Sequence, residues 1–315
     1  MERVIISDIE QSQEASCYIP TTKQLFYAEW SPSHAWQYLL DTETLELKNI
    51  TTSPPTMNAH GCVYHDGSIY VVTDGGEGTY ASVVKIDPVT LNAETIINNF
   101  FQQPFNGFND IDVDPNGNLW VTDSISAWVG TVWSIYSDLE LMQQQGRYMT
   151  EFRPQTTPAV YFINMTTLTP KWVFQTDGNA NGIAFAADGT LYIDTTGISS
   201  GRPNVKDPYK TRALLAYDTD GGKPQLRNER LFSNSISYYN DGVRVSRNGL
   251  VFGAVGDGVD IISPEDGVTL GRIRVAGDDG SLAVNVAFED HTLWIVGKGG
   301  VWRVSNIREQ LARDW

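Results

Sequence analysis

The sequence predicts an all-β protein, a six-bladed β-propeller with four-stranded blades. Three observations predict it. A hairpin pattern twelve residues long recurs without a gap, weaker copies fill the spaces between its occurrences, and further apolar strands follow most copies.

The clear copies run from Asn109 to Trp120, Asn181 to Tyr192 and Asp241 to Phe252. Each opens on a polar residue and places apolar residues two and four positions later. It then turns at Asn116-Gly117, Asp188-Gly189 or Asn248-Gly249 and enters a second apolar strand. Asn-Gly and Asp-Gly supply the positive φ that a tight hairpin needs. Weaker copies open at Glu14, His60 and Asn285 and lead to Leu25-Phe26-Tyr27, Ile69-Tyr70-Val71 and Leu293-Trp294-Ile295. Third strands are expected from Gln37, Val83, Val160, Leu214 and Val259.

Blades therefore start near 14, 60, 109, 181, 241 and 285, at spacings of 46, 49, 72, 60 and 44 residues. The last copy, ending near Val304, has three clear strands. Arg3-Val4-Ile5-Ile6-Ser7 is expected to add the fourth and close the ring, which removes exposed strand edges. A β-sandwich is the competing fold, but sandwiches lack a fixed repeat. The expectation is one domain over 1–315, since closed all-β architectures often exceed 250 residues.

Charge limits the partners. With 22 Lys+Arg against 38 Asp+Glu the net charge is −16, so the long-range field repels nucleic acid and anionic membranes. The N-terminal residues lack the apolar core of a secretion signal, and no run approaches the roughly 18 apolar residues of a membrane span. A soluble cytoplasmic protein is expected, in which the glycosylation patterns at Asn49 and Asn164 carry no meaning. Cys17 and Cys62 lie in alternating apolar segments and read as small buried hydrophobes more readily than as a disulfide.

In a propeller the first strand of each blade lines the channel, so Glu14, His60, Asn109, Asn181, Asp241 and Asn285 converge on the axis. Two carboxylates and several carboxamides aimed at one point are costly to bury without a cation or water. Oxygen donors of this kind suit a Ca²⁺-type site of Glu14, Asn109, Asn181 and Asp241. Zinc is disfavoured because no His/Cys set accompanies them. A cation that only ties the blades together is the alternative.

At these residues a family resemblance emerges. The copies opening at Asn109-Asp110, Asn181-Gly182 and Asp241-Gly242 resemble the blade signatures of the gluconolactonase/senescence-marker-protein superfamily, fungal lactonohydrolases and the propeller diisopropyl-fluorophosphatase among them. The resemblance covers most of the chain. It implies a catalytic divalent cation, usually calcium, on Glu14, Asn109, Asn181 and Asp241, with Asp241 also a base or nucleophile. Two departures stand out. The family's Glu-Gly-Pro is here Glu14-Ala15-Ser16, and the final-blade histidine of its phosphotriesterases is absent beside Asn285, which argues against phosphotriester chemistry.

Two long connections, 124–158 and 195–211, follow second strands and are expected to cover the channel mouth as lids. The first carries Trp128, Trp133, Tyr136, Met142, Tyr148 and Met149, with a short helix-compatible stretch from Asp138. Trp30, His34 and Trp36 lie at the same level, and Tyr238-Tyr239 precede Asp241. Trp36, Trp128, Trp133, Tyr238, Tyr239 and Asn285 are thus candidates for binding a bulky apolar small molecule, although each aromatic could equally pack a lid. His60 and His34 are placed to move protons, whereas His65 and His291 fall at turns on the opposite face.

The leading expectation is a metal-dependent hydrolase of a lactone or related ester. The alternative is a cyclase or pericyclase, hetero-Diels–Alderase-like, of fungal secondary metabolism, using the aromatic pocket for proximity instead of a nucleophile. A binding module without turnover is the third class.

Overall fold

The computed structural model describes residues 1–8, 12–30, 35–75, 79–124, 159–197, 199–200, 205–206, 209–220, 223–235, 237, 240–275, 277 and 279–313. Within them six antiparallel four-stranded sheets form the blades, five of them ordered outward along the chain. Blade 1 is Gln13–Ile19, Gln24–Glu29, Gln37–Asp41 and Leu47–Ile50. Blade 2 is Ala59–His65, Ser68–Thr73, Ser82–Ile86 and Ala93–Ile97. Blade 3 is Phe108–Val113, Leu119–Asp123, Ala159–Asn164 and Thr169–Gln175. Blade 4 is Ala180–Phe185, Thr190–Thr196, Arg212–Asp220 and Lys223–Ser233. Blade 5 is Val243–Val245, Val251–Ala254, Gly258–Ile262 and Thr269–Arg274.

Blade 6 takes Leu282–Glu289, Thr292–Lys298 and Gly300–Val304 from the C-terminal part of the chain and its outermost strand, Glu2–Ile6, from the N-terminus. That strand pairs Glu2 with Arg303 and Ile6 with Gly300. The expected closure is therefore the one formed. Short hairpins lie outside the blades at Asn99–Phe100/Gln103–Pro104 and at Ser199–Ser200/Val205–Lys206, the latter inside the 195–211 insertion.

Strand alternation explains the ring. In blade 1, Leu25 and Tyr27 pack with Trp294 and Val296 of blade 6, while Phe26 and Ala28 pack with Cys62 and Val71 of blade 2. Both faces of each sheet are apolar, and one cluster of this kind fills every gap between neighbouring blades. Six interfaces for six blades means the ring is complete, and burial of side chains such as Trp120 and Trp294 holds it at roughly 2–3 kcal/mol each.

The three clear hairpins turn at Gly117, Gly189 and Gly249, with φ of 79°, 86° and 96°, where any Cβ is strained. Between third and fourth strands, Asp41, Asp87 and Asn164 each accept two backbone amides from the turn that follows.

One expectation about the cysteines is corrected. Cys17 and Cys62 occupy facing inner strands with Cα atoms 5.9 Å apart and are joined as a disulfide between blades 1 and 2. Propeller closure brings together residues 45 apart in sequence, which spacing alone does not reveal.

Candidate functional site

The inner strands do not pair evenly. Their register with the second strand slips between Glu14 and Cys17, Ala59 and Gly61, Phe108 and Ile111, Ala180 and Ile183, and Ala283 and Asn285. Each slip is a bulge at the same end of its blade, and His60, Asn109 and Asn181 sit inside theirs. Bulges re-aim side chains and free backbone from the ladder, so the fold presents these residues at one mouth of the channel. Ala15, beside Glu14, adopts φ of 54°, a non-glycine residue held in the left-handed region.

Glu14 Oε1 lies 3.7 Å from His60 Nε2, and His60 Nδ1 lies 3.1 Å from Asp74 Oδ2. Trp30 Nε1 donates to that Asp74 oxygen at 3.1 Å, and Ser12 Oγ donates to Glu14 Oε1 at 3.4 Å. Glu14 and Asp241 line one cavity of about 550 Å³. Val255, Leu282, Ala283 and Val284 form its apolar wall, and Ser12, Ser237, Asp257 and Lys298 also line it.

Electrostatics follow from this crowding. Burial raises the Glu14 carboxyl above the usual range; His60 pulls it back and Asp74 pushes it further up. Burial, then the charge of Glu14, drives Asp241 well above that range, opposed by His60 and by a hydrogen bond from Asn181. His60 is pressed down by burial, yet Asp74 and Glu14 together carry it well above the ordinary imidazole value.

A hard divalent cation fits this donor set. Two buried-side carboxyls repel each other, and Asn181 Oδ1, in a residue 4% exposed, has no partner among the described residues. Asn109 is likewise buried at the mouth. Among the described residues no three His, Cys, Asp or Glu side chains group as a metal cluster.

Residues 13–297 match the SMP-30/Gluconolactonase/LRE-like region family. This chain belongs to that family. It is a family of lactonase- and gluconolactonase-like hydrolases. The chain is 30% identical over 319 residues to the lactonohydrolase oryL of Aspergillus oryzae, an alignment covering 93% of this chain and 67% of that one. A gluconolactonase from Xanthomonas campestris superposes with a TM-score of 0.74 at 18% identity, over 98% of this chain and 89% of that one. A calcium-binding protein, regucalcin, from Agrobacterium tumefaciens superposes with a TM-score of 0.67 at 15% identity, over 99% and 96% of the two chains. These two likenesses speak to the fold.

In this gluconolactonase-like propeller the remaining expected site residues fall in different places. His34, Trp128, Trp133, Tyr238 and Tyr239, with all of the first lid past Ser124, lie outside the described residues. Trp36 is half-buried just before the third strand of blade 1, where its carbonyl accepts the Glu29 amide at 2.9 Å. Asn285 is buried, and its Oδ1 accepts the following amide, Val286 N, at 2.8 Å; the cavity beside Asp241 is lined instead by Val284. The bulge of blade 6 falls between Ala283 and Asn285, so Val284 takes the unpaired position and Asn285 pairs with Val296.

Two residues escaped the sequence reading: Asp74, just past the second strand of blade 2, and Asp194. Asp194 is fully buried, and burial with the charge of Asp241 raises its carboxyl well above the usual range, opposed by hydrogen bonds from Asn240 and the Thr195 backbone. An acid following a strand-two Thr, as in Thr73-Asp74 and Thr122-Asp123, was the available signal.

Proposed function

We propose that this protein is a divalent-cation-dependent hydrolase of a lactone or related ester carrying an apolar portion. The observation that carries the reading is the single cavity on which Glu14 and Asp241 meet, with His60 held between Glu14 and Asp74.

Glu14, Asn109, Asn181 and Asp241 would hold the cation, probed as calcium, which when bound polarises the ester carbonyl and stabilises the oxyanion. The apolar wall of Val255, Ala283 and Val284 orients the hydrocarbon part of the substrate and excludes water there. Asp241, which shares the cavity with Glu14, takes the proton of the attacking water; direct attack by its oxygen is the variant of this step. As the ring C–O bond breaks, His60, kept protonated by Asp74 and Glu14, gives its proton to the departing alkoxide.

The test is hydrolysis of an alkyl- or aryl-substituted lactone in ¹⁸O water. Wild-type protein should place solvent oxygen in the product carboxylate, and Asp241→Asn and Glu14→Gln should each abolish turnover. Undiminished turnover in both variants would overturn the reading.

A further inference from the structure

Arg244 lies on the inner strand of blade 5, three residues past Asp241, and its side chain is nine-tenths buried in the channel. Its guanidinium crosses to blade 3, where Nη1 donates to Asp110 Oδ2 at 2.9 Å and Nη2 to Asp110 Oδ1 at 3.1 Å. Nη2 also donates to the carbonyl of Cys62 in blade 2 at 3.1 Å, and Nη1 to those of Ile183 in blade 4 at 3.4 Å and Val243 at 2.7 Å. Asp110 in turn accepts the amide of Ile183 at 3.2 Å. One planar fork therefore ties the inner strands of four blades. Blade 1 joins through the Cys17–Cys62 disulfide, and blade 6 through Gly242 N donating to Val284 O at 2.8 Å.

Every tie sits just beyond a candidate site residue: Asp110 is one residue past Asn109, Cys62 two past His60, Ile183 two past Asn181 and Arg244 three past Asp241. The backbones are in contact there. A Cβ on Gly61 would lie 2.7 Å from Asp110 Cα, and one on Gly182 would lie 2.1 Å from Asp241 O. A buried ion pair is weak evidence of stability, since apolar residues of similar volume often serve as well. What apolar packing does not supply is a directional link between four strands.

We propose that Arg244 is a positioning residue, which through Asp110, Cys62 and Ile183 sets the spacing of the oxygen ligands Glu14, Asn109, Asn181 and Asp241 without touching cation or substrate. The inference rests on the cation-dependent reading above. A built-in comparison exists two residues further from the mouth. Arg313 pairs with Asp112 at 2.5 and 2.8 Å and donates to Phe185 O at 2.9 Å, a fork of the same kind on the same two strands.

The experiment compares the full chain with Arg244→Lys and Arg313→Lys, reading calcium binding by calorimetry, amide hydrogen exchange, kcat and KM, and thermal unfolding. Lysine keeps the charge and loses the fork. Arg244→Lys should weaken calcium binding by about ten- to a hundredfold, as loss of an outer-shell partner does, and lower kcat more than it raises KM. It should also speed exchange at the amides of His60, Asn109 and Asn181. Arg313→Lys should lose comparable thermal stability while leaving calcium affinity and those amides unchanged. If the two variants match in calcium affinity and in exchange, Arg244 is a structural residue only and the proposal fails. Should Arg244→Lys not fold, Asp110→Asn takes its place with the same expectations. If wild-type protein binds no calcium, the proposed function fails, and the exchange pattern still decides the positioning role.

Discussion

Asp74 Oδ2 lies 3.1 Å from Nδ1 of His60, and the same oxygen accepts the indole N–H of Trp30. A carboxylate fixed from one side thus orients an imidazole whose other nitrogen faces Glu14. Burial alone would discharge this histidine; the two carboxylates reverse that and hold it protonated above its ordinary range. The arrangement makes His60 an acid for the leaving alkoxide, and Asp74 the residue that keeps it one.

His60→Gln should therefore lower kcat by about a hundredfold or more, the usual worth of a placed proton donor. Asp74→Asn should cost less at low pH and more at high pH. With the charge of Asp74 removed, His60 loses its proton at lower pH, so the alkaline limb of the kcat/KM profile moves down. An unmoved limb in Asp74→Asn would rule out this role.

Asp241→Asn should trade activity for stability. The Asp241 carboxyl is raised in the folded state by burial and by Glu14, so the folded protein holds that proton more tightly than the unfolded chain does. Its contribution is favourable below the unfolded value and is lost as pH rises through the folded one. In chelator at pH 8, the variant should melt at higher temperature than wild type, with the gap closing toward pH 4. A lower melting temperature at pH 8 would contradict the crowding of Glu14 and Asp241.

Asp123 should leave its own mark on the pH dependence of folding. Burial, and to a smaller extent the charge of Asp74, raises its carboxyl to about 7, although Gly107 N and Asn106 Nδ2 donate to it at 2.9 and 3.1 Å. Because the raised value belongs to the folded state, stability should decline as pH climbs from about 4 to about 7 and level off above. Urea unfolding across that window should show a shallower decline in Asp123→Asn. Equal slopes would remove Asp123 from the account.

Gly182→Ala should be among the most damaging small changes at the mouth. Its Cβ would lie 2.1 Å from the carbonyl oxygen of Asp241, which is backbone and has nowhere to go, so blades 4 and 5 must part. Gly249→Ala meets nothing nearer than 3.6 Å and suffers only from its φ of 96°, a cost of about 1–2 kcal/mol. Chemical denaturation should find the first variant less stable than the second; the reverse order would mean the blades are not in contact there.

Much of the propeller was legible because its signals are local. A hairpin is written within twelve residues, its Asn-Gly or Asp-Gly turn at a fixed place, and six recurrences imply a ring that the N-terminal strand closes. Repeat phase is also what singled out Glu14, His60, Asn109, Asn181 and Asp241 as candidates for the axis. At Asn285 the repeat phase and the bulge differ by one residue, the unpaired position being Val284. The Cys17–Cys62 bridge, the Asp74–His60 contact and the Arg244–Asp110 fork were illegible for another reason. The bridge and the fork join residues 45 and 134 apart on different blades, and the Asp74–His60 contact crosses the blade 2 hairpin at the bulge between Ala59 and Gly61; no periodicity records either.

The central claim is that oxygens from four blades hold a cation at a site where a lactone is opened. The most direct measurement is turnover of an apolar-substituted lactone before chelation, after it, and after calcium is returned. The account predicts activity, loss, and recovery in that order; hydrolysis that continues undiminished in stripped protein would contradict it.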